Sequence, residues 1–303
     1  SHTGGSPGPS RPGRLCSFGV ISCGMTSTFT IGGDLEVRRL GYGAMRITGE
    51  GIWGPPDDPD NARAVLRRVV ELGVNLIDTA DSYGPEVSET LIAEALHPYP
   101  EGLVIATKGG FRRTGPGQWP RAAHPDRLRE CLEGSLRRLR VDRIDLYQLH
   151  APDPTVPLED SLGALKDAQD QGKIRHIGVS NVSVEELERA RAVVDVVTVQ
   201  NRYSLVDRDS DDVLDACDAA GIGFIPWYPL AVGDLARSGG PLDELSRVHA
   251  AAPSQLAIAW LLARSPVMLP IPGTASLQHL EENVAAADLE LDSQELDRLA
   301  AAA

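Results

Sequence analysis

The sequence predicts an α/β fold, an (α/β)8 TIM barrel with an N-terminal β-hairpin at the barrel bottom. Three observations predict it. Eight short apolar runs alternate with eight longer amphipathic stretches, and the alternation never breaks. Strict alternation implies parallel strands joined by helical crossovers, and eight is a number of strands that closes a barrel. The turn that would mark an open doubly wound sheet, Gly41-Tyr42-Gly43-Ala44-Met45-Arg46, lacks its third glycine.

Taken in order, residues 27–39 alternate polar and apolar around Gly32-Gly33-Asp34, a hairpin signal. Strands are expected over 40–45, 74–78, 103–108, 144–149, 176–179, 196–200, 223–226 and 267–271. Helices are expected over 61–72, 86–96, 125–139, 158–172, 183–192, 209–220, 253–264 and 276–287. Ser183 and Ser276 begin two of these helices as good caps. Gly73, Gly172 and Gly221 follow three others where a C′ glycine belongs. The long irregular stretches 46–59, 109–124 and 231–240 each follow the C-terminal end of an expected strand. In a barrel that is the face where ligands bind.

The 303 residues are 42% hydrophobic and 24% charged, an ordinary globular composition. Residues 1–24, rich in Ser, Gly, Pro and Arg, cannot bury a core. They read as a disordered leader with Ser1-His2 as a tag remnant and Met25 as the natural start. Residues 25–303 read as a single barrel domain. A net charge of −14 argues against nucleic-acid binding, although a local cluster of donors can still bind an anion. No run approaches the ~20 apolar residues of a membrane span. Cys16, Cys23, Cys131 and Cys217 have no metal-ligand spacing, and the seven histidines form no HxxxH pair. No metal site and a cytoplasmic location with reduced thiols are therefore expected.

Polar residues close several of the apolar strands. Asp78 ends the second, with Tyr83 five residues later, Lys108 ends the third and His150 follows the fourth. A Lys closing an apolar strand is costly to bury unless paired, and Asp78 on the neighbouring strand is placed to pair with it. The ammonium is expected to lower the pKa of a nearby phenol. Tyr83 would then donate a proton near neutral pH more readily than an ordinary tyrosine with a pKa of about 10.

These motifs carry a resemblance. The runs Asp78-Thr79-Ala80-Asp81-Ser82-Tyr83-Gly84, Thr107-Lys108, Leu149-His150 and Gly178-Val179-Ser180-Asn181 resemble the aldo-keto reductase superfamily over residues 28–299. Leu40-Gly41-Tyr42-Gly43-Ala44-Met45, Gly54-Pro55-Pro56 and Ile271-Pro272-Gly273-Thr274 resemble its bacterial pyridoxal-reductase-like branch. The resemblance implies an oxidoreductase that reduces aldehydes or ketones. In that reading Tyr83, Lys108, Asp78 and His150 form a catalytic tetrad. Tyr83 donates a proton, His150 orients the carbonyl and a nicotinamide supplies a hydride.

It also implies a cofactor site. Gly43, Ala44 and Met45 border the cofactor, while Ser180, Asn181 and Gln200 hold the nicotinamide carboxamide. Trp227 stacks on the ring, with Tyr228 alongside, and the loop with Pro229, Leu230, Gly233 and Leu235 joins in holding the adenosine phosphates. The adenosine phosphates fall to Ile271, Gly273, Thr274, Ser276, His279, Glu282 and Asn283, at a helix start suited to anions. The branch implies NADPH as cofactor; Gly273 and His279 stand where many members have Lys and Arg, so NADH stays open.

The substrate pocket is expected from Trp53, Phe111 and Trp119, aromatics suited to a flat or apolar carbonyl. Arg112, Arg113 and Arg121 either bind an anionic group of the substrate or are solvated. The implied partner is a small-molecule carbonyl substrate, and the implied state a monomer. A broad carbonyl reductase, a pyridoxal reductase and a non-catalytic NADPH-binding regulatory subunit are the three readings carried forward.

Overall fold

Residues 27–230 and 241–302 are described in a computed structural model. β1 (Thr28–Ile31) and β2 (Leu35–Arg38) form the expected antiparallel hairpin, with Ile31 opposite Leu35. Gly32 and Gly33 make its turn with φ of 61° and 81°. A side chain at Gly32 would also strike the His176 ring at 2.2 Å, so this turn needs glycine twice over.

Seven parallel strands follow in sequence order: β3 (Tyr42–Gly43), β4 (Leu76–Asp78), β5 (Val104–Gly109), β6 (Ile144–Leu149), β7 (Ile174–Ser180), β8 (Val196–Arg202) and β9 (Gly223–Trp227). The first six crossovers carry α1 (Pro59–Glu71), α2 (Val87–Leu96), α3 (Pro125–Leu139), α4 (Leu158–Asp170), α5 (Val184–Arg191) and α6 (Asp211–Ala220). After β9 come α7 (Pro241–His249), α8 (Pro253–Arg264), α9 (Leu277–Ala285) and α10 (Ser293–Ala302). The expected helix starts are built as read. Ser183 and Glu186 form a complete capping box on α5, and the Ser276 hydroxyl accepts the His279 N–H on α9.

The eighth expected strand, 267–271, is not a regular ladder strand. It closes the barrel through isolated bonds: Phe224 N–H to Val267 O at 2.8 Å, Leu269 N–H to Phe224 O at 2.8 Å, and Gly41 N–H to Pro270 O at 2.9 Å. Pro270 and Pro272 have no N–H to donate, so a continuous ladder cannot form there. The first expected strand likewise shortens to two residues before a 3-10 turn, Ala44–Ile47.

Two apolar layers hold the barrel. Ile31, Leu35 and Val37 of the hairpin pack with Leu76, Ala106, Leu146 and Leu269 inside it. The hairpin thus plugs the end where the strands begin and leaves the C-terminal ends open. Outside the sheet, Leu66, Leu132, Leu162 and Leu214 of the surrounding helices join the larger core. Helices α7 and α10 lie outside the alternating pattern and were not expected. They are tied together by Arg298–Glu244 at 2.5 Å and His249–Glu295 at 2.8 Å.

Candidate active site

Asp78 ends β4 and Lys108 lies next to last in β5, on adjacent strands at the open end of the barrel. Both are buried, at 1% and 0% exposure. Lys108 Nζ donates to Asp78 Oδ2 at 2.6 Å, to the Thr79 carbonyl at 2.8 Å and to the Tyr83 hydroxyl at 3.3 Å. All three ammonium protons therefore have acceptors, which a cation out of water requires. The other oxygen of Asp78 accepts from Gln200 Nε2 at 2.8 Å and Gln148 Nε2 at 3.2 Å. Gln148 has room because its partner across the ladder is Gly178. A Cβ there would sit 3.0 Å from Gln148 Cγ and 2.2 Å from Thr198 Oγ1.

Lys108 is held above its ordinary pKa: burial opposes the charge, but the Asp78 carboxylate and the Tyr83 hydroxyl outweigh it. The expected lowering of Tyr83 is corrected. Burial pushes the phenol up, the Lys108 charge pulls it down, and Asp78 pushes it up again, leaving it above 10. The carboxylate beside the ammonium cancels much of its field, which a reading from Lys108 alone overlooks. Tyr83 is thus held firmly in its protonated, donor form. His150 is held well below 6.5 by burial and then by Lys108, so its imidazole is neutral. Its ring lies 4.5 Å from Phe111 and 5.9 Å from Tyr83, and Trp119 meets Tyr83 edge-on at 6.3 Å.

These groups open onto a cavity of about 580 Å³, within the range of small-molecule sites. Asp78, Tyr83, His150, Phe111 and Trp119 are among the residues that line it. Trp53 does not line it. That ring is 36% exposed, 5.5 Å from the Arg113 guanidinium, and Ile52 lines the cavity instead. Arg113 lies 3.8 Å over the Trp119 ring and donates to the carbonyls of Ile52, Ser82, Gly51 and Gln118. It clamps two loops together rather than presenting free donors. Arg121 lines the cavity while bonding the Pro152 carbonyl, and Arg112 lines a separate cleft.

Most residues expected to hold a dinucleotide border the same cavity. They are Gly43 and Met45 in the first turn, Ser180, Asn181 and Gln200 at strand ends, Trp227, Tyr228, Pro229 and Leu230 after β9, and Ile271 and Gly273. Asn181, at φ 59°, donates to the His150 carbonyl and to Ser180 Oγ and accepts from Trp227 Nε1. Its amide ties β6, β7 and β9 together, and Ser180, already accepting, keeps its own proton to donate. A Cβ on Gly273 would lie 2.5 Å from Gly43 O, and one on Gly43 2.6 Å from Ile271 O. The barrel seam is too tight for any side chain at either glycine.

Ala44 is buried and Asn283 is 5% exposed. Thr274 Oγ1 accepts from Ser276 N–H, so both hydroxyls keep protons for an anion at the start of α9. His279 is exposed there, and Glu282 accepts from Gln278. Gly233 and Leu235 lie outside the described residues, as do Met25 and the leader. Gln148, Arg46, Ile52 and Ala151 were not anticipated. Gln148 was discoverable by strand parity, since it shares a face with inward-pointing Leu146.

Asp81, two residues before Tyr83, is 5% exposed, and its Oδ1 has no hydrogen-bond partner. Burial pushes its pKa up to about 7, from 3.8 in an unfolded chain. The folded state therefore binds the proton more tightly. The stability this supplies is complete below 3.8 and is lost as pH rises through 7. Asp81→Asn should match the parent near pH 4 and gain on it steadily, by up to about 4 kcal/mol at pH 8. Urea melts across that range check this, and a difference independent of pH would contradict it.

Comparison with known proteins gives one consistent result. The model of the aldo/keto reductase family matches residues 39–303. An uncharacterized oxidoreductase of Schizosaccharomyces pombe is 51% identical over 286 residues, covering 94% of this chain and 93% of its own. Pyridoxine 4-dehydrogenase of Escherichia coli is 42% identical over 281 residues, covering 90% and 97%. The crystal structure of an aldo-keto reductase from Klebsiella pneumoniae in complex with NADPH superposes with a TM-score of 0.78. It is 28% identical and covers 90% of this chain and 93% of its own.

Proposed function

The chain belongs to the aldo/keto reductase family, and from that premise we propose that it reduces aromatic aldehydes with NADPH, Tyr83 delivering the proton. It is an oxidoreductase, and its carbonyl-reducing chemistry follows from the family. One observation carries the assignment of roles. The buried chain Asp78–Lys108–Tyr83 ends on a phenol that faces the cavity.

A nicotinamide, when bound, supplies the hydride. The cavity beside Ser180, Trp227 and the side-chain-free seam at Gly43 and Gly273 suits such a group, with the hydroxyls of Thr274 and Ser276 toward its phosphates. The Tyr83 hydroxyl gives its proton to the carbonyl oxygen as charge builds there. The Lys108 ammonium, 3.3 Å away, steadies the phenolate left behind. Asp78 with Gln148 and Gln200 keeps that ammonium in place. Neutral His150 donates a hydrogen bond to the same oxygen.

Phe111 and Trp119, packed edge to face on each other, line the cavity with aromatic surface suited to a flat aromatic substrate. The Escherichia coli relative's name supports a pyridoxal-like aldehyde, and the Klebsiella pneumoniae complex supports NADPH. Steady-state kinetics with 4-nitrobenzaldehyde and pyridoxal, each with NADPH and NADH, test the proposal. A higher kcat/KM with NADPH on both aldehydes is expected. A preference for NADH would overturn the cofactor assignment, and no turnover of either aldehyde the substrate assignment.

A further inference from the structure

Ser82 lies between Asp81 and Tyr83, is 2% exposed, and its hydroxyl is 3.4 Å from His150 Nδ1. We propose that Ser82 sets the tautomer of His150, donating its hydroxyl proton to Nδ1 so that the ring presents Nε2–H to the substrate oxygen. Ser82 is then a positioning residue, and the inference rests on the reading of Tyr83 and His150 as the groups facing the carbonyl.

A neutral imidazole has one N–H and one lone pair, and the partner of one nitrogen decides which it carries. Nδ1 is turned to Ser82, so Nε2 is the nitrogen left for the cavity that His150 lines. A carbonyl or alkoxide oxygen only accepts. The Nδ1–H tautomer would aim a lone pair at it, whereas the Nε2–H tautomer aims a donor.

Among the described residues His150 Nδ1 is the one hydrogen-bonding partner of the Ser82 hydroxyl, so the buried proton has no competing protein acceptor. Burial and the Lys108 charge keep the ring from taking a second proton, which would erase the choice.

Both partners are held. The Ser82 carbonyl accepts from Arg113 Nη1 at 3.0 Å. The His150 N–H bonds Gly109 O at 2.9 Å, its carbonyl accepts from Asn181, and its ring abuts Phe111. A contact of 3.4 Å is long, as catalytic hydrogen bonds often are before a substrate draws them tight.

The test is nitrogen NMR of histidine-labelled full-length protein with NADP+, the His150 signals identified by their loss in His150→Asn. The wild type should show neutral His150 with the proton on Nε2, a result that needs no substitution. Ser82→Ala should mix the tautomers and lower kcat about three- to tenfold, the worth of one neutral hydrogen bond, with KM little changed. Ser82→Thr should restore both.

In a His150→Asn background Ser82→Ala should cost nothing further. A wild-type proton on Nδ1, an unaltered tautomer in Ser82→Ala, or an equal loss in the His150→Asn background each overturns the proposal. Failure of the underlying reading looks different: Tyr83→Phe would turn over normally whatever tautomer His150 shows.

Discussion

Tyr83→Phe is expected to lower kcat for aldehyde reduction by about 10²–10⁴-fold while NADPH binding is retained, because in the proposed mechanism the change removes one positioned proton donor. The phenyl ring keeps its edge contacts with Trp119 at 6.3 Å and His150 at 5.9 Å, so the cavity keeps its shape. Lys108 loses its contact with the hydroxyl at 3.3 Å but keeps Asp78 and the Thr79 carbonyl. Stability should fall by about 1–3 kcal/mol at most, because one proton of the buried Lys108 ammonium loses its acceptor, while the phenol itself is uncharged in the folded and the unfolded chain. Single-turnover rates with cofactor titration by fluorescence separate the two effects. Normal turnover would remove Tyr83 as the acid, and loss of NADPH binding would mean that the variant disturbs the site rather than the chemistry.

Lys108→Met is expected to destabilise the fold by about 3–5 kcal/mol and to abolish turnover. It leaves the Asp78 carboxylate buried without its cation. Gln148 and Gln200 still donate to Oδ1, but Oδ2 loses its partner at 2.6 Å. The double variant Asp78→Asn with Lys108→Met removes the stranded charge. It should regain most of the stability, because a neutral pair needs no buried counter-ion. It should remain inactive, because nothing is left to steady the Tyr83 phenolate. Urea midpoints and turnover for the two proteins decide the matter. A single variant as stable as the parent would show the ion pair to be dispensable to the fold, and an active double variant would show Lys108 to be dispensable to catalysis.

These expectations show how unevenly the sequence can be read. Strand–helix alternation and the caps at Ser183 and Ser276 were legible because they depend on neighbours one to four residues apart. Asp78, Lys108 and His150 were legible because a polar residue closing an apolar strand stands out, and Tyr83 through its motif. Gln148 was missed although strand parity points it inward with Leu146. Its partner Asp78 is 70 residues away, and nothing near it in the chain signals a charge to be held. From their loops alone, Trp53 reads as a pocket residue and Arg113 as either a ligand for an anionic substrate group or a solvated side chain. Which loop carbonyls would take the guanidinium protons could be known only once the loops at 51–53 and 113–118 were folded together.

By itself, then, the sequence determined an (α/β)8 barrel with an N-terminal hairpin, the strand ends that carry Asp78, Lys108 and His150, and the family. The tertiary structure decided the rest. It showed that prolines 270 and 272 reduce the eighth strand to isolated bonds, that Gly43 and Gly273 pack too tightly for side chains, and that Tyr83 is held protonated rather than primed to ionise. The physical reason is range. Periodicity and capping are set within a helical turn, whereas burial and charge balance sum over partners 30 to 122 residues apart, as between Asp78 and its donors Lys108 and Gln200.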